Sequence, residues 1–208
     1  MTKLEKDILF FISRVRCITE TQVRKLYNSK KIYNRKAVKK ALKRMVNEFT
    51  LLKIKSDLEF PMFKGENIYF LNGASIYKEE ELFKALVGTE LLVRLSISGS
   101  ELMRFYRNVK FADKNYDIYV LYRNRCGDLK QLLCDVYDEN AEVSDVDYMK
   151  YRGIEEQIKN ATIPFFEVPE ILVVSSGKVC NSSEKLFDRK SSKVHFIEFG
   201  LNKLFSLI

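Results

Sequence analysis

Apolar residues recur at helical spacing near the N-terminus, where Leu4, Ile8, Phe11, Ile12 and Val15 fall on one side of a helix. Thr2 and Glu5 stand three apart ahead of this run, the pattern of a reciprocal capping box. After a break at Arg16-Cys17-Ile18, Thr19 and Gln22 repeat that pattern, and Val23, Leu26 and Tyr27 give a short second helix its buried side. Asn28 to Tyr33 reads as a turn, and Asn34 then caps a third helix running from Arg35 to Glu48. At about 100° per residue, Val38, Ala41, Leu42 and Met45 gather on one face of this helix, and Lys36, Lys39, Lys40 and Lys43 gather on the opposite face.

Beyond the third helix the period changes. Leu51 to Ser56 alternates apolar and basic residues, and Asn67 to Leu71 reads as a second strand, with Asp57 to Gly65 between them. Three helices followed by a hairpin predict a winged helix-turn-helix over residues 1–77, with Lys53 on the first wing strand and Lys64, beside Gly65, near the wing tip. Asn72-Gly73-Ala74-Ser75 is a turn-like cluster and marks the expected domain boundary; the helical run Lys78 to Lys84 follows it. In residues 78–208, Tyr116–Tyr122 and Gln131–Tyr137 are β-rich and joined by a loop containing Gly127-Asp128, which predicts a hairpin. A helix is expected over Asp145 to Lys159, a strand at Ile171–Val174, a helix around Ser183–Phe187 and a last strand from Val194 to Phe199. The second half is therefore expected to be an α/β domain with a small mixed sheet flanked by helices.

Charge sharpens this division. Residues 1–77 contain 17 Lys or Arg against 7 Asp or Glu, a balance of +10, whereas residues 78–208 contain 19 against 21, a balance of −2. The whole excess lies in the first half, as expected for a polyanion-binding module joined to a neutral one. No acidic residue interrupts the stretch from Arg35 to Arg44, so the third helix lacks the i, i+4 carboxylates that balance a merely solvated charged face. Arg35, Lys36, Lys39, Lys40, Lys43, Arg44, Lys53 and Lys64 are accordingly the candidate DNA-contacting residues.

Other chemistry finds little to build on. Cys17, Cys126, Cys134 and Cys180 are far apart and form no C-x-x-C pair, and His195 is the single histidine, which argues against a zinc site or a disulfide framework. Gly127, Gly153 and Gly177 stand outside any phosphate-binding motif, and the Ser175-Ser176 and Ser182-Ser183 pairs have only His195 as a base. No cofactor, metal ion or catalytic residue is expected. Apolar runs such as Ile8–Ile12 and Ile171–Val174 fall well below the roughly 20 residues of a membrane span. Acidic residues in Met1 to Asp7 interrupt the pattern of a signal peptide, so a cytoplasmic location is expected.

The sequence resembles the replication-relaxation proteins of mobile elements. The resemblance is carried by Thr19-Glu20-Thr21-Gln22-Val23, by Ile68-Tyr69-Phe70-Leu71-Asn72-Gly73, and by the order Asp117, Asp135, Lys150-Tyr151 in the second half. It implies a winged helix followed by a nuclease-like domain of the PD-(D/E)xK kind. Such a site needs carboxylates on adjacent strands to hold Mg²⁺ and a lysine two residues past the second. Here Tyr116 precedes Asp117, Tyr137 stands at the lysine position, and the alternative frame Asp138-Glu139-Asn140 also lacks lysine. The implied nuclease-like domain is therefore expected to be non-catalytic. The function expected is sequence-specific binding of double-stranded DNA by an accessory protein of a plasmid or mobile element, aiding replication or relaxosome-type conjugative transfer. The partners implied are a relaxase or replication initiator and a second copy of the chain, with no membrane. Two other readings stay open: a transcriptional repressor with a regulatory C-terminal domain, and an active metal-dependent DNA endonuclease.

Overall fold

The computed structural model describes residues 1–28, 34–111, 114–151, 154, 158, 167–183 and 193–207. It contains two compact units, Met1–Gly99 and Ser100–Ile208. The division therefore falls some twenty residues after the boundary expected from the Asn72–Ser75 turn.

The first unit runs α1 (Lys3–Val15), β1 (Cys17–Thr19), α2 (Glu20–Asn28), α3 (Arg35–Asn47), β2 (Leu51–Lys55), β3 (Asn67–Leu71) and α4 (Glu79–Ile97). Both capping boxes form. The Thr2 amide donates to Glu5 Oε2 at 2.7 Å and the Glu5 amide to Thr2 Oγ1 at 3.4 Å, while Thr19 and Gln22 exchange the equivalent bonds at 3.1 Å each. Between these two helix starts, Arg16 takes φ 71° and turns the chain into β1, the short strand that the sequence showed only as a break. β1, β3 and β2 form an antiparallel sheet in that order, with Ile18 opposite Tyr69 and Lys53 opposite Tyr69 on the other side. The helical faces named from spacing are buried, with Ile8, Ile12, Val15, Val23, Val38, Leu42 and Met45 each at most 1% exposed, except that Tyr27 of α2 is only half-buried.

α4 belongs to this unit because its buried polar groups are satisfied there. Gln22 Nε2 donates to the Leu86 carbonyl at 2.9 Å, Thr89 Oγ1 donates to the Cys17 carbonyl at 2.9 Å, and fully buried Glu90 pairs with Lys25 at 2.8 Å and Arg94 at 3.0 Å. Stranding these groups would cost more than any single apolar contact, since a buried unpaired polar atom loses its hydration without return. Phe83 completes the attachment, its ring 5.2 Å from Phe60 and 6.1 Å from Phe63.

The second unit holds β4 (Glu101–Phe111), β5 (Lys114–Arg123), β6 (Leu129–Val136), the short helix α5 (Tyr148–Tyr151), β7 (Glu170–Ser175), α6 (Gly177–Ser183) and β8 (Val194–Glu198). Its five-stranded sheet has the order β4-β5-β6-β7-β8, antiparallel from β4 to β6 and parallel from β6 to β8. The molecule is thus a mixed α+β protein carrying a mixed five-stranded sheet. The expected hairpin is β5–β6, closed by the turn in which the Asn124 amide donates to the Asp128 carbonyl at 2.9 Å and Gly127 takes φ 92°. Of the helix expected over 145–159, Tyr148–Tyr151, Ile154 and Ile158 are helical, and the other positions after 151 lie outside the described residues. Residues 184–187 of the helix expected around Ser183–Phe187 also lie outside them; the described helix, α6, precedes that position. One sheet face packs Tyr119, Leu133, Ile171, Val173 and Phe196 with Tyr151, Ile154 and Val179. No helix among the described residues is long and apolar enough to cross a membrane.

Candidate nucleic-acid interface

α3 is held at both ends. Asn34 Oδ1 accepts from the Ala37 amide at 2.8 Å and caps its start. Near the other end, Arg44 reaches Glu5 of α1, a carboxylate only 2% exposed, and lies 3.6 Å from Glu48. Burial alone would raise the Glu5 pKa, but the Thr2 amide and hydroxyl and the Arg44 guanidinium outweigh it and hold the carboxyl below its ordinary value. Arg44 therefore clamps α3 to α1. The sequence placed it among the DNA-contacting residues because the spacing showed its charge but not its partner thirty-nine positions away.

The rest of the stripe is displayed. Arg35, Lys36, Lys39, Lys40 and Lys43 are all exposed, and no carboxylate among the described residues pairs with them. Opposite them Val38, Ala41, Leu42 and Met45 are buried, so the helix cannot roll without exposing its apolar side. Lys53 is exposed on β2, and the same alternation exposes Lys55, which the sequence reading did not single out although the Leu51–Lys55 pattern contained the signal. Lys64 differs. It is exposed, but its ammonium lies 2.5 Å from Glu59, and that carboxylate raises its pKa. The Phe60–Gly65 turn is anchored by Phe63, which is 1% exposed, so this stretch of the hairpin presents a neutralised pair in place of the free cation expected near its tip.

In the second unit the structure gathers the acidic positions named from the sequence. One step beyond the ladder pair Ile118 and Cys134, the register sets Asp117 opposite Asp135, and the Val136 amide donates to Asp117 Oδ2 at 2.7 Å. Asp135 is 4% exposed and its Oδ2 is taken twice, by Lys150 Nζ at 2.5 Å and by the Tyr151 hydroxyl at 2.8 Å. Burial pushes the Asp135 carboxyl above its usual range, Lys150 opposes that rise, and Asp117 adds to it. With the Tyr151 hydroxyl donating to Asp135, the Tyr137 hydroxyl donates to Tyr151 at 3.0 Å, and Lys150 sits 4.3 Å over the ring of Tyr116.

Lys150, from the following helix, thus lies beside Asp135, a partnership the sequence signalled only through the order of these residues. One Asp135 oxygen is engaged by Lys150 and Tyr151, and a cation such as Mg²⁺ would need several open oxygen ligands. Among the described residues no group of three or more His, Cys, Asp or Glu side chains is placed to hold a metal ion. His195 pairs with Glu170 at 2.8 Å, and Cys134 and Cys180 are buried with their thiols pushed up by that burial.

No family model matches the chain, and no curated protein matches it. A solved structure, EndoMS in its apo form, is similar over 71% of this chain at 14% identity, with a TM-score of 0.31. The chain spans 60% of the length of that EndoMS chain. A likeness at this level fixes neither fold family nor activity.

Proposed function

We propose that this chain binds double-stranded DNA through its first unit, acting as a winged helix with α3 laid against the duplex. One observation carries the reading: five exposed cations, Arg35, Lys36, Lys39, Lys40 and Lys43, occupy one side of a helix whose other side is locked into the core. Five like charges on one helix repel one another, and phosphates are the chemistry that relieves them. The order α1, β1, α2, α3, β2, β3 supports it, since it is the order of helix-turn-helix proteins that send their third helix into the major groove. Lys53 and Lys55, exposed on β2, add further positive charge to the same unit.

On this reading the second unit contributes no catalysis, because the Asp135 carboxylate is occupied by Lys150 and Tyr151. A role in plasmid replication or transfer rests on the resemblance alone, carried by Thr19–Val23, Ile68–Gly73 and the order Asp117, Asp135, Lys150-Tyr151. Selection of bound fragments from the source genome separates that role from repression: sites beside a relaxase or initiator gene support the first, and an operator upstream of the protein's own gene supports the second. Gel shifts of the full chain on duplex DNA should persist in excess chelator. Supercoiled plasmid should stay supercoiled with Mg²⁺ or Mn²⁺, and nicking that disappears in Asp117→Ala would overturn the non-catalytic reading.

A further inference from the structure

β4 forms one edge of the five-stranded sheet and pairs only with β5 among the described strands. Along it runs Arg104-Phe105-Tyr106-Arg107-Asn108-Val109-Lys110, in which cations and aromatic rings interleave without an acidic residue. Tyr106 lies opposite Tyr119 in the register, and their rings stack with centroids 6.0 Å apart and planes 11° from parallel. The inner ring is fixed: Tyr119 is 2% exposed and its hydroxyl accepts from Gln131 Nε2 at 2.9 Å. The outer ring is 49% exposed. Two positions along, Arg104 faces the same side of the sheet; it and Lys110 are exposed, and no carboxylate among the described residues pairs with either.

Two other uses of such an edge fit less well. Strand addition needs a regular ladder of free backbone groups, but the register of β4 shifts between Leu102 and Arg104, Asn108 takes φ 50°, and the cations would face those of a second copy. A duplex offers phosphates but keeps its bases stacked inside, so it leaves the backed ring of Tyr106 unused. An unpaired base uses both features, since every base has a flat face and single strands are held by aromatic platforms flanked with cations.

We propose that β4 is a contact for single-stranded nucleic acid, in which an unpaired base stacks on Tyr106 and Arg104 and Lys110 meet the adjoining phosphates. This activity lies beyond the duplex binding assigned to α3. The test measures fluorescence anisotropy of the full chain with labelled oligothymidylate of about 20 nucleotides, with an abasic oligomer of the same length, and with duplex DNA. Oligothymidylate should bind about tenfold tighter than the abasic strand, as expected for one or two stacked bases. Tyr106→Leu should weaken it about tenfold, and Tyr106→Phe should keep it within about twofold, because the ring and not the hydroxyl stacks. Replacing Lys36, Lys39, Lys40 and Lys43 with alanine should weaken duplex binding by more than about a hundredfold and leave the preference for oligothymidylate over the abasic strand in place, so the two readings fail separately. Equal binding of the abasic and thymidine strands, or no binding of either by the folded chain, would overturn the proposal. The strand comparison needs no variant, so it decides the matter even if Tyr106→Leu fails to fold.

Discussion

The two units use the same charged residue types in opposite ways. Met1–Gly99 contains 20 Lys or Arg against 11 Asp or Glu, a balance of +9, and Ser100–Ile208 contains 16 against 17, a balance of −1. In the first, two of the carboxylates turn inward, Glu5 to Arg44 and Glu90 to Lys25 and Arg94, while Arg35, Lys36, Lys39, Lys40 and Lys43 of α3 face out. In the second, the most buried carboxylate among the described residues, Asp135, takes a lysine inside with it. Net charge becomes a binding surface only where the fold separates the two signs, and α3 is where that separation is widest.

The comparison breaks most readily at Asp135. Asp135→Ala would leave the Lys150 ammonium, 14% exposed, without its carboxylate, and should destabilise the full chain by about 3 kcal/mol in urea unfolding. Lys150→Met leaves the carboxylate instead, and the sign of its pH dependence follows from the raised folded-state pKa of Asp135. A carboxyl held above its unfolded value opposes folding while ionised, and that opposition fades as pH falls through the folded value. Without Lys150 the rise is larger, so the deficit of Lys150→Met against wild type should shrink as pH is lowered; a constant deficit would show that the pairing does not set the carboxyl's titration.

Glu5 should respond in the other direction. Its folded pKa is lowered, so its contribution is present above the unfolded value and is lost as pH falls through the folded one. Arg44→Ala should cost about 1–2 kcal/mol near pH 7, and the gap to wild type should close below about pH 4, where Glu5 protonates in the unfolded chain. Duplex affinity should change much less in this variant than in changes to Lys36–Lys43, because Arg44 serves α1. The smallest effect is expected at Asn34, where alanine removes the Oδ1 acceptor for the Ala37 amide and should cost about 1 kcal/mol, while glycine costs a few tenths.

Periodicity made α1, α2 and α3 legible because one face of each is buried and the other wet, so Ile8, Val23 and Leu42 announce themselves by spacing. α4 was read only in its first residues: from Leu82 to Leu95 apolar side chains cover most of its circumference, and a helix buried nearly all round shows little amphipathic signal. That is also why the boundary was placed before it. β4 escaped notice because, as an exposed edge strand, it alternates only between exposed and half-buried positions before Val109. The site divides the same way. Exposure of Lys36, Lys39, Lys40 and Lys43 follows from local spacing, whereas the partners of Arg44, Lys64 and Lys150 are set by folding together of distant or looped segments, which spacing does not encode.

The claim that α3 is a phosphate-binding face is tested most directly by the salt dependence of duplex binding. For the wild-type chain, log affinity against log salt should fall with a slope set by the number of phosphate contacts, at about 0.9 per contact. With Lys36, Lys39, Lys40 and Lys43 all changed to alanine, the thermal unfolding of the chain should be nearly unchanged, because all four side chains are exposed. The slope should flatten by about 3 to 4 units and the affinity at low salt should fall by more than about a hundredfold. A folded quadruple variant that keeps the wild-type slope and affinity would contradict the account.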